Sequence, residues 1–291
     1  MSVRVGISGW RYKGWRGTFY PEDLLQRREL AYAAGLFPTI ELNGSFYSLQ
    51  KARSYRQWYA ETPEHFVFSV KAPRFLTHVK RLREIDGPFA NFLASGVLAL
   101  EEKLGPLLWQ FPPNFRWQPE LFESFLQALP RTTAQAAMLA RDHDHRVADP
   151  HLEVLQSRPL RHAVEVRHAS FIDPALVDQL RRHQVALVAA DTAGLHPVMH
   201  DLTADFVYVR LHGDTELYSS GYGDQALRAW ARRIGYWERG EQSPDAVRVS
   251  GSDAPVQPRD VYVYFDNDAK VHAPFDAQSL IALLKRPRAR R

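Results

Sequence analysis

The sequence contains eight short apolar runs, and each one ends on polar or charged residues that an ordinary core strand would not carry there. Helical stretches separate the runs. Eight strands alternating with helices is the pattern of a (β/α)8 barrel, whose active site lies at the carboxyl ends of its strands. The runs are Val3–Ile7, Thr39–Leu42, Phe66–Val70, Leu107–Trp109, Ala163–Val166, Ala186–Ala190, Phe206–Val209 and Val261–Phe265. The sequence therefore predicts an α/β fold made of a single (β/α)8 TIM barrel.

The segment before the last run differs from the other connections. Gly240–Asp260 is rich in Ser, Pro, Gly and Asp and has neither helical nor strand periodicity. Such a long connection without secondary structure is uncommon in a compact domain, so we expect a long, mobile loop there. The last residues, 285–291, are mostly Lys and Arg, which is typical of a solvated tail. The predicted organisation is a barrel over 1–284 and a basic tail over 285–291.

Composition limits the classes of function. The chain has no cysteine, which excludes disulfides, thiolate nucleophiles and cysteine-type zinc sites. It begins without an apolar signal segment, and no run reaches the roughly 20 apolar residues that span a bilayer. We therefore expect a cytoplasmic protein with no membrane partner. The net charge of +4 is smaller than the positive charge of the terminal tail alone, so it is weak evidence for nucleic-acid binding.

Two strand ends bring acidic and basic side chains together. Because successive side chains of a strand point to opposite faces, Glu165 shares a face with Arg167, and Arg210 shares one with His212. A carboxylate and an imidazole beside guanidinium groups can transfer protons while the cations stabilise developing charge. The sequence predicts acid–base chemistry by Glu165 and His212. The full set of predicted catalytic residues is Glu165, His212, Asp191 and Glu41.

Three cations at the predicted barrel mouth, Lys71, Arg167 and Arg210, indicate an anionic ligand, because crowding like charges is unfavourable unless an anion is bound. Internal pairing with carboxylates of other strand ends is the alternative. Aromatic residues nearby would suit a sugar or a base. The predicted substrate-binding residues lie at the strand ends or shortly after them and are Lys71, Arg167, Arg210, Gln110, Asn43, Trp10, Tyr12, His168, Tyr218, Asp266 and Asn267. We expect Arg210→Ala to abolish binding and to leave the fold intact.

Because several strand ends carry carboxylates, a bound divalent cation stays an open hypothesis. Mg²⁺ and Mn²⁺ take oxygen ligands, and the metal-ligand candidates are Glu41, Asp191, Asp266 and Asp268. The aspartates at the end of the last strand could equally cap the loop or helix that follows. No cofactor is certain from the sequence, and Mg²⁺ or Mn²⁺ is the one that these residues favour.

Short motifs at the strand ends form a combined pattern that covers nearly the whole chain. They are Gly6-Ile7-Ser8-Gly9-Trp10, Ile40-Glu41-Leu42-Asn43, Val70-Lys71-Ala72 with Thr77-His78, Gln110-Phe111-Pro112-Pro113, Glu165-Val166-Arg167-His168, Ala190-Asp191-Thr192, Tyr208-Val209-Arg210-Leu211-His212-Gly213 and Tyr264-Phe265-Asp266-Asn267-Asp268. This pattern resembles the YecE-like proteins, the family of domain of unknown function 72. The resemblance implies a TIM barrel and identifies the site better than the reaction. One departure is Val271-His272-Ala273-Pro274, where relatives tend to have a glycine-containing turn.

These observations favour an enzyme that binds a phosphate- or carboxylate-bearing sugar, polyol or nucleotide at the carboxyl-terminal mouth of the barrel. Phosphoester hydrolysis and isomerisation both fit. The first alternative is a nucleic-acid-processing barrel of the endonuclease-IV-like kind, with a basic rim that binds the backbone. The second is a non-catalytic ligand-binding or sensor protein, because one fold can carry many functions. The expected partner is a small anionic ligand, and nucleic acid stays open as an alternative partner. The sequence predicts no oligomeric state.

Overall fold

The computed structural model describes residues 2–285, which form a closed barrel of eight parallel strands. The strands follow the chain order around the barrel, and the first strand pairs with the last. They are β1 (Val3–Ser8), β2 (Thr39–Leu42), β3 (Val67–Lys71), β4 (Leu104–Gln110), β5 (His162–Glu165), β6 (Ala186–Asp191), β7 (Phe206–Leu211) and β8 (Asp260–Phe265). The predicted (β/α)8 TIM barrel is confirmed, and each apolar run contributes one strand.

Helices occupy most of the connections. They are α1 (Glu29–Leu36), α2 (Gly44–Tyr47), α3 (Ala52–Glu61), α4 (Asp86–Ala94), α5 (Pro119–Ala128), α6 (Thr133–Ala140), α7 (Pro174–Arg182), α8 (Asp224–Glu238) and α9 (His272–Lys285). Short 3-10 turns lie at Lys13–Trp15, Gln26–Arg28, Val97–Lys103 and Ala169–Phe171, and a π-helical turn at Phe75–Val79. The connection from β6 to β7, residues 192–205, is described throughout and contains no helix. The barrel is therefore irregular at this point.

The interior of the barrel carries a layer of tyrosines below its carboxyl-terminal end. Tyr264 Oη lies 2.8 Å from Thr39 Oγ1, and Tyr208 Oη lies 2.6 Å from Ser69 Oγ. Gly6 of β1 allows a close approach of β2, because a Cβ atom there would stand 1.9 Å from the backbone oxygen of Thr39. Since side chains alternate along a strand, the next inward positions are the strand-end residues that carry charge.

The predicted long connection before β8 is present, and polar contacts anchor it. The backbone N–H groups of Val249 and Ser250 donate to the carboxylate of Asp201. Arg259 is buried and donates to backbone carbonyls, among them the one of Pro255 at 2.8 Å. These anchors are polar, so a search for apolar periodicity does not reveal them. The segment between α8 and β8 contains neither helix nor strand.

The carboxyl terminus of the described chain ends on a helix. Lys285, the first residue of the predicted basic tail, is the last residue of α9. The rest of that predicted tail, 286–291, lies outside the described residues. Among residues 2–285, no helix combines the length and the apolar character needed to cross a membrane.

Candidate functional site

A cavity of about 760 Å³ opens at the carboxyl-terminal ends of the strands; we call it the mouth cavity. Its volume is in the range of small-molecule sites. The residues predicted from the sequence that line it are Trp10, Tyr12, Asn43, Lys71, Gln110, Arg167, Tyr218, Asp266 and Asp268. The barrel therefore brings together cations, aromatic rings and amide groups from six different strand ends.

A fully buried guanidinium group, that of Arg210, lies beneath the mouth cavity at the centre of an ion-pair network. It makes a bidentate contact with Glu41, with Nε 3.0 Å from Oε2 and Nη2 2.8 Å from Oε1. Its Nη1 donates to Glu165 Oε2 at 2.6 Å, and its Nη2 donates to Asp266 Oδ2 at 2.9 Å. We call these four residues together with Arg167 the Arg210 network. A group held by three carboxylates in this way is a fixed structural charge.

Arg167 joins the Arg210 network to the mouth cavity. Its Nε donates to Glu165 Oε1 at 2.7 Å, an oxygen that also accepts from Gln110 Nε2 at 3.0 Å. On its other side, Arg167 Nη2 lies 3.2 Å from Tyr218 Oη. Tyr218 has a φ of 63°, a left-handed conformation that non-glycine residues rarely adopt and that often occurs at functional sites. The guanidinium group of Arg167 is thus oriented from both sides.

Lys71 has a different environment from the guanidinium groups. It lines the mouth cavity with 7% of its surface exposed, and its Nζ lies 4.1 Å from the centroid of the Phe46 ring. Within residues 2–285, no carboxylate oxygen lies within the 4.0 Å of an ion pair from this amine. Burial, followed by the charge of Arg210, lowers the pKa of Lys71 to about 8. The amine is therefore buried but not neutralised by a partner.

Two cavity residues, Arg74 and His78, were not in the predicted site. Both follow β3, and the π-helical turn Phe75–Val79 places them on the cavity wall. Burial first, and then the charges of Arg74, Lys71 and Arg167, lower the pKa of His78 to about 4. At neutral pH the imidazole is uncharged, and it lines the same cavity as these three cations. The motif Thr77-His78 was the available signal, but the rare π-helical turn has no sequence pattern that would have oriented it.

Three predicted site residues lie elsewhere. Asp191 is on the outer face of the barrel, because Ala190 pairs with inward-facing Arg210 and the next side chain points away. His168 is partly exposed and caps a 3-10 turn through Ser170 N–H. Asn267 is fully buried and donates to the Asp276 carboxylate at 2.8 Å. The structure therefore does not bring these three residues to the mouth cavity.

The predicted acid–base pair, Glu165 and His212, does not reach the mouth cavity. Although burial alone would raise the pKa of Glu165, the charges of Arg167 and Arg210 hold it well below its usual value. His212 is fully buried, and its Nδ1 lies 3.0 Å from Asp266 Oδ2 at an angle that does not form a hydrogen bond. Glu165 and Glu41 are bound to Arg210, and His212 lies beside it. The structure therefore places all three beneath the mouth cavity and not on its wall, and their catalytic role stays a prediction.

Arg210 also lies beneath the mouth cavity, where it is fully buried and is not a lining residue, whereas a different acid–base candidate lines the cavity. Asp268 does line the cavity, and burial together with the charge of Asp266 raises its pKa to about 6. A carboxyl group with such a pKa can accept and release a proton near neutral pH.

The metal candidates are not brought together. Glu41 and Asp266 are engaged by Arg210, and Asp191 lies on the outer face of the barrel. In the described part of the chain, no three histidine or carboxylate side chains converge in a way that could hold a metal ion. The donor set predicted from the sequence therefore does not fit Mg²⁺ or Mn²⁺.

Comparisons with known proteins agree on the family. The model of the family described as "Protein of unknown function DUF72" matches residues 4–291. The UPF0759 protein YunF of Bacillus subtilis (strain 168) is 34% identical over 123 residues, which span 40% of this chain and 43% of that protein.

Solved structures match over almost the whole barrel. A DUF72 family protein from Thermotoga maritima MSB8 has 25% identity and a TM-score of 0.73, with 98% of this chain and 100% of that chain covered. One from Enterococcus faecalis V583 has 18% identity and a TM-score of 0.68, with 99% and 97% covered, and shows the fold alone. The resemblance inferred from the strand-end motifs is confirmed, and the chain belongs to the DUF72 family of proteins of unknown function, with a TIM-barrel fold.

Proposed function

We propose that this protein is an enzyme whose mouth cavity binds a small molecule carrying a phosphate or carboxylate group, such as a sugar, polyol or nucleotide derivative. The observation that supports it is that Lys71, Arg74 and Arg167 line the same cavity, together with the uncharged His78. The cavity is lined by two carboxylates, and one of them, Asp266, is bound to Arg210. An anion would supply the missing negative charge.

The cavity offers the geometry that such an anion needs. Guanidinium groups recognise phosphate and carboxylate through two parallel N–H donors. Arg74 is exposed at the cavity wall and makes no ion pair with any described residue, so its donors are available. Arg167 is already oriented by Glu165 and Tyr218, so little conformational entropy is lost when it binds a ligand.

The aromatic wall supports a ligand with a ring or a polyol body. Trp10, Tyr12 and Phe46 line the cavity, and Trp10 is held edge-on against Trp58 at a centroid distance of 5.5 Å. Aromatic faces bury the apolar side of a sugar or base, while polar groups at the same wall hold its hydroxyls. Gln110 and Asn43 provide such polar groups.

The test is calorimetric titration with pyridoxine 5′-phosphate, which has a ring and a phosphate but no carbonyl group, against pyridoxine as the matched neutral ligand. We expect the phosphate compound to bind at least about tenfold more tightly, since a charged hydrogen bond contributes about 1.5–3 kcal/mol. Arg74→Gln should weaken binding by a similar factor. Arg83→Gln is the control, because Arg83 is exposed and bonds Gln118 outside the cavity.

Two outcomes would contradict the proposal. Equal affinity for the phosphorylated and neutral ligands would show that the cations serve only the structure. Tight binding of a single-stranded oligonucleotide, with an affinity that falls steeply with salt, would instead favour the nucleic-acid-processing alternative.

A further inference from the structure

Lys71 differs from the other buried lysine of the chain in what its amine contacts. Lys103 Nζ donates to the backbone oxygens of Tyr59 at 2.6 Å and Thr62 at 2.8 Å, which hold it as a structural ammonium group. Lys71 Nζ makes no such bond in the described chain, and its neighbour is the ring of Phe46. It also faces the mouth cavity. A buried amine that is oriented but not bonded is available to a ligand.

We propose that the Lys71 amine is a nucleophile that forms an imine with an aldehyde or ketone group of the anionic ligand. This inference rests on the proposed function, and it narrows the substrate to a carbonyl compound that carries a phosphate or carboxylate. Arg74 and Arg167 would hold the anionic group, while the carbonyl carbon lies against Lys71.

The chemical step balances within the cavity. The uncharged amine adds to the carbonyl carbon and a C–N bond forms, while one of the two amine protons is transferred to the carbonyl oxygen, which becomes a hydroxyl group. An acid then protonates that hydroxyl, the C–O bond breaks and water leaves. The nitrogen lone pair forms the C=N bond, and the nitrogen keeps its one remaining hydrogen in the resulting iminium ion. Asp268 lines the same cavity and can deliver the proton, because its pKa is about 6.

The charges around Lys71 favour both the uncharged amine that starts this step and the iminium ion that it produces. Burial and a neighbouring cation make a lysine amine nucleophilic by favouring its uncharged form, and here they lower its pKa to about 8. The Arg210 network contains two guanidinium groups and three carboxylates, so it carries one net negative charge. The iminium ion, which is positive as long as it keeps its N–H proton, is therefore stabilised by the network beneath it.

The groups that act on the titration of Lys71 come from four strand ends. In order of influence they are Arg210, Asp266, Glu41 and Glu165. The uncharged His78 lines the same cavity as Lys71. An ordinary lysine has a pKa of about 10.4, so near neutral pH the uncharged fraction of Lys71 is larger by a factor on the order of 100. This difference gives the experiment its selectivity.

The test uses pyridoxal 5′-phosphate, an aldehyde with a phosphate group, followed by borohydride, which delivers hydride to the imine carbon and leaves a stable secondary amine. Peptide mass mapping then locates the adduct among the seven lysines. We expect the adduct on Lys71, with a rate that rises to a plateau above about pH 8. Lys71→Arg should lose it. Lys270→Arg should retain it, because Lys270 is exposed and pairs with Glu216 outside the cavity.

Ligand competition separates this inference from the proposed function. Pyridoxine 5′-phosphate should protect Lys71 from labelling, and pyridoxal without phosphate should label it at least about tenfold more slowly. If pyridoxine 5′-phosphate binds and Lys71 is not modified, the anion site stands and the imine inference is wrong. If neither compound binds or labels the cavity, both proposals are wrong. Should Lys71→Arg fail to fold, the position of the adduct in the wild-type protein still decides.

Discussion

Replacement of Arg210 by methionine, which keeps an unbranched side chain but carries no charge, should destabilise the protein strongly. Arg210 is fully buried and is the direct partner of Glu41, Glu165 and Asp266. Removing one partner of a buried ion pair costs about 3–5 kcal/mol, because the remaining charge is left uncompensated. We expect a loss of at least about 4 kcal/mol, a large part of the roughly 5–15 kcal/mol by which domains are stable.

The loss should depend on pH in a definite direction. In the wild-type protein, cations hold the pKa of Glu165 and Asp266 below their usual values. Such groups contribute stability above the unfolded pKa of about 4, and this stability is lost as the pH falls. Without Arg210 the buried carboxylates protonate more easily. A lower pH therefore reduces the destabilisation of the variant, while it lowers the free energy of unfolding of the wild-type protein. The difference between the two should therefore shrink from neutral pH to about pH 4.

Urea unfolding of both proteins at several pH values measures this difference directly. The control is Arg239→Met, since Arg239 is 42% exposed and lies 3.2 Å from Glu241. A surface pair of this kind contributes about 1 kcal/mol or less. A loss below about 1 kcal/mol for Arg210→Met, or a loss that does not shrink in acid, would refute the view that Arg210 is a fixed structural charge.

Three further predictions follow from individual groups. Lys71→Met should raise stability at neutral pH by up to about 3 kcal/mol, because burial lowers the pKa of Lys71 to about 8. The gain should vanish between about pH 8 and 10.4, where the unfolded wild-type chain binds more protons than the folded one. A stability gain that urea unfolding finds to be the same across this pH range would contradict the prediction. Sulfate, which does not titrate, should bind less well as the pH rises through the Asp268 pKa of about 6, and calorimetry should show no such step for Asp268→Asn. Val271→Gly should raise the melting temperature, because Val271 has a φ of 63° and such strain costs about 1–3 kcal/mol; a lower melting temperature would show that the turn is not strained.

The fold could be predicted because its signal lies in short local segments. Eight apolar runs separated by helical stretches are the pattern of a barrel, and local capping supports the helices between them, with Asp173 at the start of α7 accepting from Ala175 N–H at 2.8 Å. The connection before β8 could be predicted only as a long loop, because its anchors are polar contacts between distant segments, such as those of Asp201 and Arg259. The local sequence does not indicate to which backbone carbonyl a distant arginine donates a hydrogen bond.

The candidate site was predicted only to the level of strand ends. Asp191 points to the outer face of the barrel, because Ala190 and not Asp191 is in register with the inward-facing Arg210. The alternation of side chains along a strand does not tell which inward charges line the cavity and which lie beneath it, since this depends on depth within the barrel. Arg210 and Arg167 are both inward cations, but the first is fully buried and the second faces the cavity. The roles of Arg74 and His78 depend on a π-helical turn, which no hydrophobic period reveals.

The claim that the mouth cavity is an anion site can be tested most directly by locating an anion in it. Crystals of the protein soaked in selenate would show the anion through the anomalous scattering of selenium. The account predicts a leading anomalous peak inside the mouth cavity, within hydrogen-bonding distance of the guanidinium group of Arg74 or Arg167. Peaks confined to the outer surface, with the cavity free of selenate at a saturating concentration, would contradict it.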